Sequence, residues 1–167
     1  METIVRLAAD GLMIPLVLIA LYAFIMKSPR IGRYEVYVRV FMAGITSYAL
    51  AKYIAAIWQP EGTGRPFERL GVEAGASFLQ NSGFPSDHAL FAAFLTFAVW
   101  YVTKSGKLTL AMAALTALIG IGRVLALVHT PLDITGGIVI AALGGIWFLP
   151  LKRIFSPYRR LAKKSNT

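Results

Sequence analysis

The chain has 167 residues, of which 57% are hydrophobic and 15% are charged, with no cysteine and a net charge of +9. Soluble domains carry about 25% charged residues, so this composition argues against a water-soluble globule and excludes a disordered chain, while the lack of cysteine excludes disulfides, thiolate metal sites and a cysteine nucleophile. A strongly basic chain is typical of proteins that bind nucleic acid, an anionic membrane surface or a phosphate-bearing substrate, and the apolar excess argues against nucleic acid as a partner.

Five apolar segments predict five transmembrane helices, because a helical span needs about 20 residues. The segments are 11–26 (extending back to residue 4), 36–58, 89–102 with a helix start near Ser86, 108–128 and 134–151. Too few polar residues remain to cover five buried helices in a soluble bundle. The expected fold is therefore an all-α integral membrane helical bundle, in a single domain over residues 1–167 with a basic tail at 152–167.

The first segment and the longest connection need separate assignments. Glu2 and Asp10 stand where a cleavable secretory signal would be basic, so we expect the first segment to be a retained helix. The connection 59–84 begins with turn-forming glycine and proline residues and continues with interleaved apolar and charged side chains. This pattern predicts a short interfacial helix over residues 68–79.

Basic residues are divided unevenly between the two sides of the predicted bundle. Twelve of the seventeen lie, with Glu35, in the connections after the first and third helices and in the tail, whereas the other five share the opposite side with the remaining seven acids. The positive-inside rule places the twelve in the cytoplasm. The N-terminus and the connections 59–84 and 128–134 are then expected outside, and the C-terminus inside.

Polar side chains at membrane depth are costly and call for an explanation. By the predicted topology, six of them share the outer level of the bundle: Lys52, Arg65, His88, Arg123, His129 and Asp133. Structural explanations exist for each residue taken singly. Lysine and arginine near a helix end can snorkel to the interface, Ser86 can cap the third helix, and Thr130-Pro131-Leu132-Asp133 matches a capped helix start.

A phosphate site explains the whole set at once. Three or four cations converge where an anionic headgroup would lie, beside the free N–H groups at the start of the third helix. Asp133 follows His129 by four residues and can accept its ring N–H, leaving the other nitrogen free to attack phosphorus. His88 can protonate the leaving oxygen. With no cysteine, two histidines and scattered acids, no metal site is expected.

These residues lie in motifs that resemble the type 2 phosphatidic acid phosphatases, a superfamily that also contains the vanadium haloperoxidases. Pro85-Ser86-Asp87-His88 is similar to the P-S-G-H motif of that family. Gly122-Arg123, followed after five residues by His129 and after three more by Asp133, is similar to S-R-x5-H-x3-D. The resemblance covers residues 51–145, the motif-bearing core of the chain.

Two positions depart from the family pattern. The first motif is K-x6-R-P, but six residues after Lys52 come Gln59-Pro60, and Arg65-Pro66 follows after twelve. Either the loop holds an insertion and Arg65 is the motif arginine, or Lys52 is not the motif lysine. Gly122 replaces the usual serine, which removes one hydroxyl contact to phosphate.

The resemblance implies a role for each residue and requires neither metal nor cofactor. His129 is the implied nucleophile, which forms a phosphohistidine, Asp133 orients it, and His88 is the acid for the leaving group and then the base for water. The implied phosphate ligands are Arg65, Arg123, Lys52 and the backbone around Ser86 and Asp87.

The implied substrate is a lipid phosphate or diphosphate in a bacterial cytoplasmic membrane. Among members of the family, the chain is most similar to bacterial undecaprenyl-diphosphate phosphatases, through its small size, outward site and Phe84-Pro-Ser-Asp-His88 run. The same chemistry on phosphatidylglycerol phosphate, phosphatidic acid or a lipid A phosphate remains an alternative. A non-catalytic lipid-phosphate-binding protein is a remoter one, which the intact His88, His129 and Asp133 argue against. The oligomeric state cannot be read from the sequence.

Overall fold

The computed structural model describes residues 2–60, 64–81 and 83–149, and every regular element in those ranges is a helix. The helices are α1 (Glu2–Met26), α2 (Arg33–Ile57), α3 (Pro66–Leu70), α4 (Asp87–Thr103), α5 (Gly106–Leu125) and α6 (Pro131–Phe148, whose last turn is a 3₁₀-helix). The prediction of an all-α membrane bundle is confirmed. The basic tail 152–167 lies outside the described residues.

The five apolar helices are not equivalent. Four of them, α1, α2, α5 and α6, are long and apolar enough to cross a membrane, whereas α4 has 17 residues. Helix α4 is the centre of the bundle, because α1, α5 and α6 all pack against it and nine of its side chains are buried. The outer helices instead expose large apolar side chains such as Leu18, Phe41, Leu118 and Val139, a surface suited to lipid rather than water.

Capping sets the first residues of α4 and α6, in agreement with the structural explanations for Ser86 and Asp133. Ser86 Oγ accepts a hydrogen bond from Ala89 N at 3.4 Å and caps α4. Thr130 and Asp133 form a reciprocal capping box: Thr130 Oγ1 accepts from Asp133 N at 3.2 Å, and Asp133 Oδ2 accepts from Thr130 N at 2.7 Å. Both helix starts therefore satisfy backbone N–H groups that would otherwise lack partners.

The starts of α4 and α6 lie against each other at one end of the bundle, which we call the site end. Ser86 N donates a hydrogen bond to Asp133 O at 3.0 Å. Gly137 allows this approach, since a Cβ at that position would lie 2.8 Å from Ser86 O and 2.9 Å from Leu90 N. The two sequence motifs, distant along the chain, thereby share one backbone contact.

The connection 59–84 contains a short helix, α3, as predicted, but the expected bounds of 68–79 are wrong. Helix α3 ends at Leu70, where Gly71 adopts a left-handed conformation with φ of 65°. The chain beyond it bonds to the turn after α5 instead, through Gly75 N to Ala126 O at 3.0 Å, and Phe67 N within α3 reaches Leu127 O at 3.0 Å. The N–H of Gly75, bonded to Ala126, is therefore not free to continue a helix beyond Leu70.

Helix α1 reaches the site end through an irregular turn. Residues Leu7–Gly11 form a π-helical turn, in which Leu12 N donates to Leu7 O at 3.0 Å. Ala9 in this turn is fully buried and packs with Ala76, Ala126 and Val128 in a small apolar cluster. This cluster fixes α1 against the segment after α5, directly beneath the functional residues.

Candidate active site

A cavity of about 140 Å³ opens at the site end. The sequence-predicted residues that line it are Arg65, Asp87, His88, Arg123 and His129. Four separate chain segments supply them: the residue before α3, the first turn of α4, the last turn of α5 and the loop before α6. The structure thus brings together both histidines and both arginines selected from the sequence.

Arg65 is held by main-chain oxygens around the cavity. It is 4% exposed, and its Nη1 donates to Val128 O at 2.8 Å while Nη2 donates to Leu79 O and to Asn81 Oδ1, each at 2.7 Å. Burial lowers the pKa of this guanidinium, opposed by the carboxylate of Glu68. The side chain remains a fixed cation, because an arginine is protonated throughout the physiological range.

Arg123 is the more deeply buried of the two arginines, at 1% exposure. Its Nη1 donates to Asp10 Oδ1 at 2.8 Å and to Ser77 O at 2.7 Å. The Nε atoms of Arg123 and Arg65 are both buried, and neither has an acceptor among the described residues. Since a buried donor without a partner costs about 1–3 kcal/mol, the two guanidinium groups beside this cavity favour an anionic occupant.

His129 and Asp133 are neighbours in the loop and first turn of α6. His129 Nδ1 lies 3.5 Å from Asp133 Oδ2, the same oxygen that accepts from Thr130 N. One carboxylate oxygen therefore caps α6 and also faces the histidine. The expected hydrogen bond between His129 and Asp133 is not formed, because His129 Nδ1 is buried without a hydrogen-bond partner among the described residues. Burial lowers the pKa of His129 more than Asp133 raises it, which keeps the imidazole neutral at pH 7.

His88 occupies the first turn of α4, facing the cavity with its side chain about one-third exposed. Ser86, expected beside it as a phosphate contact, is fully buried and does not line the cavity. Its hydroxyl caps α4 and its N–H bonds to Asp133 O. The structural explanation therefore accounts for the polar groups of Ser86.

Lys52 lies outside the cavity that the arginines line. Its Nζ bonds both carboxylate oxygens of Asp87, at 2.8 and 3.0 Å. Asn81 Nδ2 approaches the same carboxylate at 3.4 Å. The lysine and the aspartate thus form an ion pair at the edge of the site, and Asp87 alone of the two reaches the cavity.

A long apolar groove of about 950 Å³ adjoins the cavity along α2 and α4. Its walls include Phe41, Ile45, Leu90, Phe91 and Phe94. Leu79 and Asp87 line both the groove and the cavity, so the two spaces meet at these residues. Lys52 belongs to the groove side of this boundary.

Asp10 and Asn81 are among the polar residues of the site that were not selected from the sequence. Asp10 bonds Arg123 and also accepts from Ser77 N at 2.9 Å, while Asn81 Oδ1 accepts from Arg65. Asp10 carried a usable signal, because an acid within an apolar membrane segment needs a buried partner. Asn81 carried none, since an asparagine in a long connection is ordinary turn chemistry.

A known family profile covers most of the chain. Residues 35–155 match the sequence profile of the PAP2 superfamily. The chain belongs to the PAP2 superfamily. Membership implies phosphatase activity on a phosphorylated substrate, in agreement with the resemblance drawn from the motifs around His88 and His129. Searches of curated proteins and of solved structures each found no match.

Proposed function

We propose that this PAP2 protein is an integral membrane lipid phosphatase that removes a phosphate from a lipid phosphomonoester or diphosphate, with undecaprenyl diphosphate as the favoured substrate. The carrying observation is the cavity between two histidines and two arginines whose buried Nε–H groups lack acceptors. Phosphoryl oxygens supply the acceptors that these donors need. No metal is required, because fixed cations can stabilise the charge that develops on the phosphoryl group.

The reaction follows from the two histidines. Neutral His129 attacks phosphorus with the ring nitrogen that does not face Asp133, forming a P–N bond as the bond to the leaving oxygen breaks. His88 gives its proton to that oxygen and then takes one from the water that hydrolyses the phosphohistidine. Arg65 and Arg123 bind the phosphoryl oxygens in both steps, and inorganic phosphate is released.

The adjoining groove supports a lipid as the substrate. A headgroup in the cavity would place its apolar chain at the boundary formed by Leu79 and Asp87, where the groove between α2 and α4 begins. The walls of the groove are mainly aromatic and aliphatic side chains, which favour a long hydrocarbon over a soluble phosphate ester. A polyprenyl chain is long enough to make use of such a groove.

The charge distribution supports a site on the outer face of a bacterial cytoplasmic membrane. The chain has no cysteine, so single cysteines are specific probes. Val72→Cys, at an exposed position on the site side, is expected to react with an impermeant thiol reagent in intact cells. Lys107→Cys, at the start of α5, is expected to react only after lysis. The reverse pattern would invert the orientation.

A substrate panel tests the activity. Purified protein in detergent is given polyprenyl diphosphate, phosphatidylglycerol phosphate, phosphatidic acid or soluble diphosphate, and released phosphate is measured. We expect the polyprenyl diphosphate to be hydrolysed fastest and His129→Ala to release none, with Lys107→Gln as a surface control. Faster hydrolysis of another lipid would select that alternative. Lipid binding without any phosphate release would favour the non-catalytic alternative.

A further inference from the structure

Asp10 is the one carboxylate that α1 brings to the functional site. Its Oδ1 bonds Arg123 Nη1 at 2.8 Å and lies 3.9 Å from His88 Nε2, and its Oδ2 accepts from Ser77 N at 2.9 Å. The proposed reaction assigns Asp10 no step. Asp10 nevertheless lies between Arg123, a proposed phosphate ligand, and His88, the proposed proton donor, and so can affect both residues.

The π-helical turn of α1 gives Asp10 this position. An extra residue in one turn shifts the side chains that follow it around the helix, and such turns occur often at functional sites. Here the turn spans Leu7–Gly11, with Asp10 near its end and Ala9 fully buried against the segment after α5. Within this one turn, Ala9 packs against the segment after α5 and the carboxylate of Asp10 contacts Arg123.

Gly122 makes the close approach of this turn feasible. A Cβ at residue 122 would lie 2.6 Å from Ala9 N and 2.8 Å from the carbonyl carbon of Ala8. These are backbone atoms, which cannot move aside as the end of a flexible side chain can. The serine usual at this place would therefore push α1 away, so glycine at 122 and aspartate at 10 are structurally matched.

We propose that Asp10 is a positioning residue for the phosphatase reaction: seated on Gly122, it fixes the guanidinium of Arg123 beside the cavity and stabilises the protonated form of His88 that donates to the leaving oxygen. The proposal rests on the proposed function. A carboxylate on Nη1 leaves the Nε edge of Arg123 for the phosphoryl group. A carboxylate within about 4–6 Å also favours an imidazolium over a neutral imidazole.

The charges around His88 show why such a carboxylate is needed. Burial opposes a proton on His88 most strongly, followed by Arg123 from α5 and then His129 from the following loop, whereas Asp10 favours the proton more than Asp87 on its own helix does. Asp87 is already paired with Lys52 at 2.8 Å. Asp10 is thus the carboxylate that can offset Arg123 directly, because it contacts both.

Titration of the imidazoles tests this role without relying on turnover. The chain has two histidines, so ¹⁵N-histidine labelling gives two sets of resonances that His129→Ala assigns. We expect Asp10→Asn to move the midpoint of the His88 titration to lower pH by about one unit, and Asp10→Glu to restore it. Glu73→Gln, which removes an exposed carboxylate, is the matched control and should change neither midpoint. An unchanged His88 midpoint in Asp10→Asn would overturn the proposal.

Gly122→Ala provides a second route if Asp10→Asn does not fold. It keeps the carboxylate but displaces the turn that carries it, so the His88 midpoint should move in the same direction by a smaller amount. A midpoint that stays in place would show that the seating on Gly122 does not position Asp10.

The dependence of kcat on the leaving group tests the same role of Asp10 by kinetics. p-Nitrophenolate departs without protonation, whereas phenolate needs an acid, so Asp10→Asn should lower kcat for phenyl phosphate about tenfold more than for p-nitrophenyl phosphate. Equal losses on the two esters would contradict the role through His88. If the wild type hydrolyses neither ester nor any lipid phosphate, the proposed function fails, and the histidine titration still decides whether Asp10 controls His88.

Discussion

Two aspartates lie behind the two histidines of the cavity, and they are held in different ways. Asp133 is four residues from His129 and is fixed by the capping box of its own helix, with Oδ2 2.7 Å from Thr130 N and 3.5 Å from His129 Nδ1. Asp10 comes from another helix and lies 3.9 Å from His88 Nε2 while bonded to Arg123. The first pair depends on local backbone geometry, and the second depends on how closely two helices pack.

This difference indicates which substitutions would disturb the His129–Asp133 pair and which would disturb the His88–Asp10 pair. A change at the start of α6 affects the His129–Asp133 pair, because the capping box that holds Asp133 belongs to that helix start. A change where α1 meets α5 affects Asp10, Arg123 and His88 together, since one carboxylate oxygen faces both partners. The positioning of the proposed nucleophile, His129, can therefore be perturbed separately from that of the proposed acid, His88.

The largest effect is expected from His129→Ala. Loss of the attacking nitrogen should lower the rate of phosphate release by about 10³-fold or more, because fixed arginines cannot form the phosphohistidine. His88→Ala should cost less, on the order of 10²-fold, since water can protonate some leaving groups. Turnover is measured at saturating lipid. Full activity in His129→Ala would contradict the assignment of the nucleophile.

Asp133→Asn and Thr130→Val separate the two roles of the capping carboxylate. Asn keeps an oxygen for Thr130 N but loses the charge beside His129, so kcat should fall about tenfold while the melting temperature changes little. Thr130→Val removes the hydroxyl cap and should reduce stability by about 1 kcal/mol with a smaller effect on kcat. Equal effects of both variants on kcat would show that Asp133 acts only through the helix start.

Gly122→Ser restores the residue usual in the family and should nevertheless be harmful. The added atoms would clash with the backbone of α1, costing about 1–3 kcal/mol of stability and displacing Asp10 from Arg123. Thermal unfolding and phosphate release measure the two consequences. Gly106→Ser is the matched control, because a Cβ at residue 106 has no neighbour within 4 Å. Increased activity in Gly122→Ser would contradict the structural match of glycine and α1.

The pH dependence should reflect the environment of His129. Burial lowers its pKa below the ordinary 6.5, so the neutral nucleophile persists at pH 6.5 and is lost only at lower pH. The same shift means that the unfolded chain binds this proton more readily, so stability falls as the pH drops below 6.5. The acid limb of kcat/KM is expected below pH 6.5. An acid limb above that value would contradict a buried, neutral His129.

The smallest effect is expected from Lys52→Gln. Lys52 is partly exposed and does not line the cavity, and it pairs with Asp87 at the cavity edge. Such ion pairs contribute only about 0.2–1 kcal/mol. KM should rise by less than about fivefold, whereas Arg65→Gln, which removes a buried donor, should be far more damaging. A loss in Lys52→Gln as large as that in Arg65→Gln would mean that Lys52 reaches the phosphoryl group.

The features that could be predicted from the sequence are those that depend on neighbouring residues along the chain. The apolar segments predicted five helices because a membrane span requires length and hydropathy, and the Thr130–Asp133 pattern predicted a capping box because it needs only four consecutive residues. The predicted topology placed both histidines and Arg123 at the outer end of the bundle, and in the structure all three line one cavity. The family match over residues 35–155 agrees with the resemblance drawn from the motifs.

Features that depend on tertiary packing were missed. The segment 68–79 has a plausible amphipathic pattern, but its helix ends at Leu70 and Gly75 N bonds to the turn after α5. Asp10 could not be paired with Arg123 because the pairing depends on a π-helical turn and on the space at Gly122. Lys52 was expected at the phosphate from its place before the motifs. Its ion pair with Asp87 could not be predicted, because the motif spacing does not show which side chains pair.

Trapping the covalent intermediate tests the central claim most directly. The protein is mixed with polyprenyl diphosphate labelled with ³²P in its terminal phosphate, quenched in base within milliseconds and digested, and the labelled peptide is sequenced. Because the chain contains two histidines, the label can be assigned without ambiguity. The account predicts base-stable, acid-labile phosphate on His129 that is absent from His129→Ala. Label on His88 or on a carboxylate during normal turnover would contradict it.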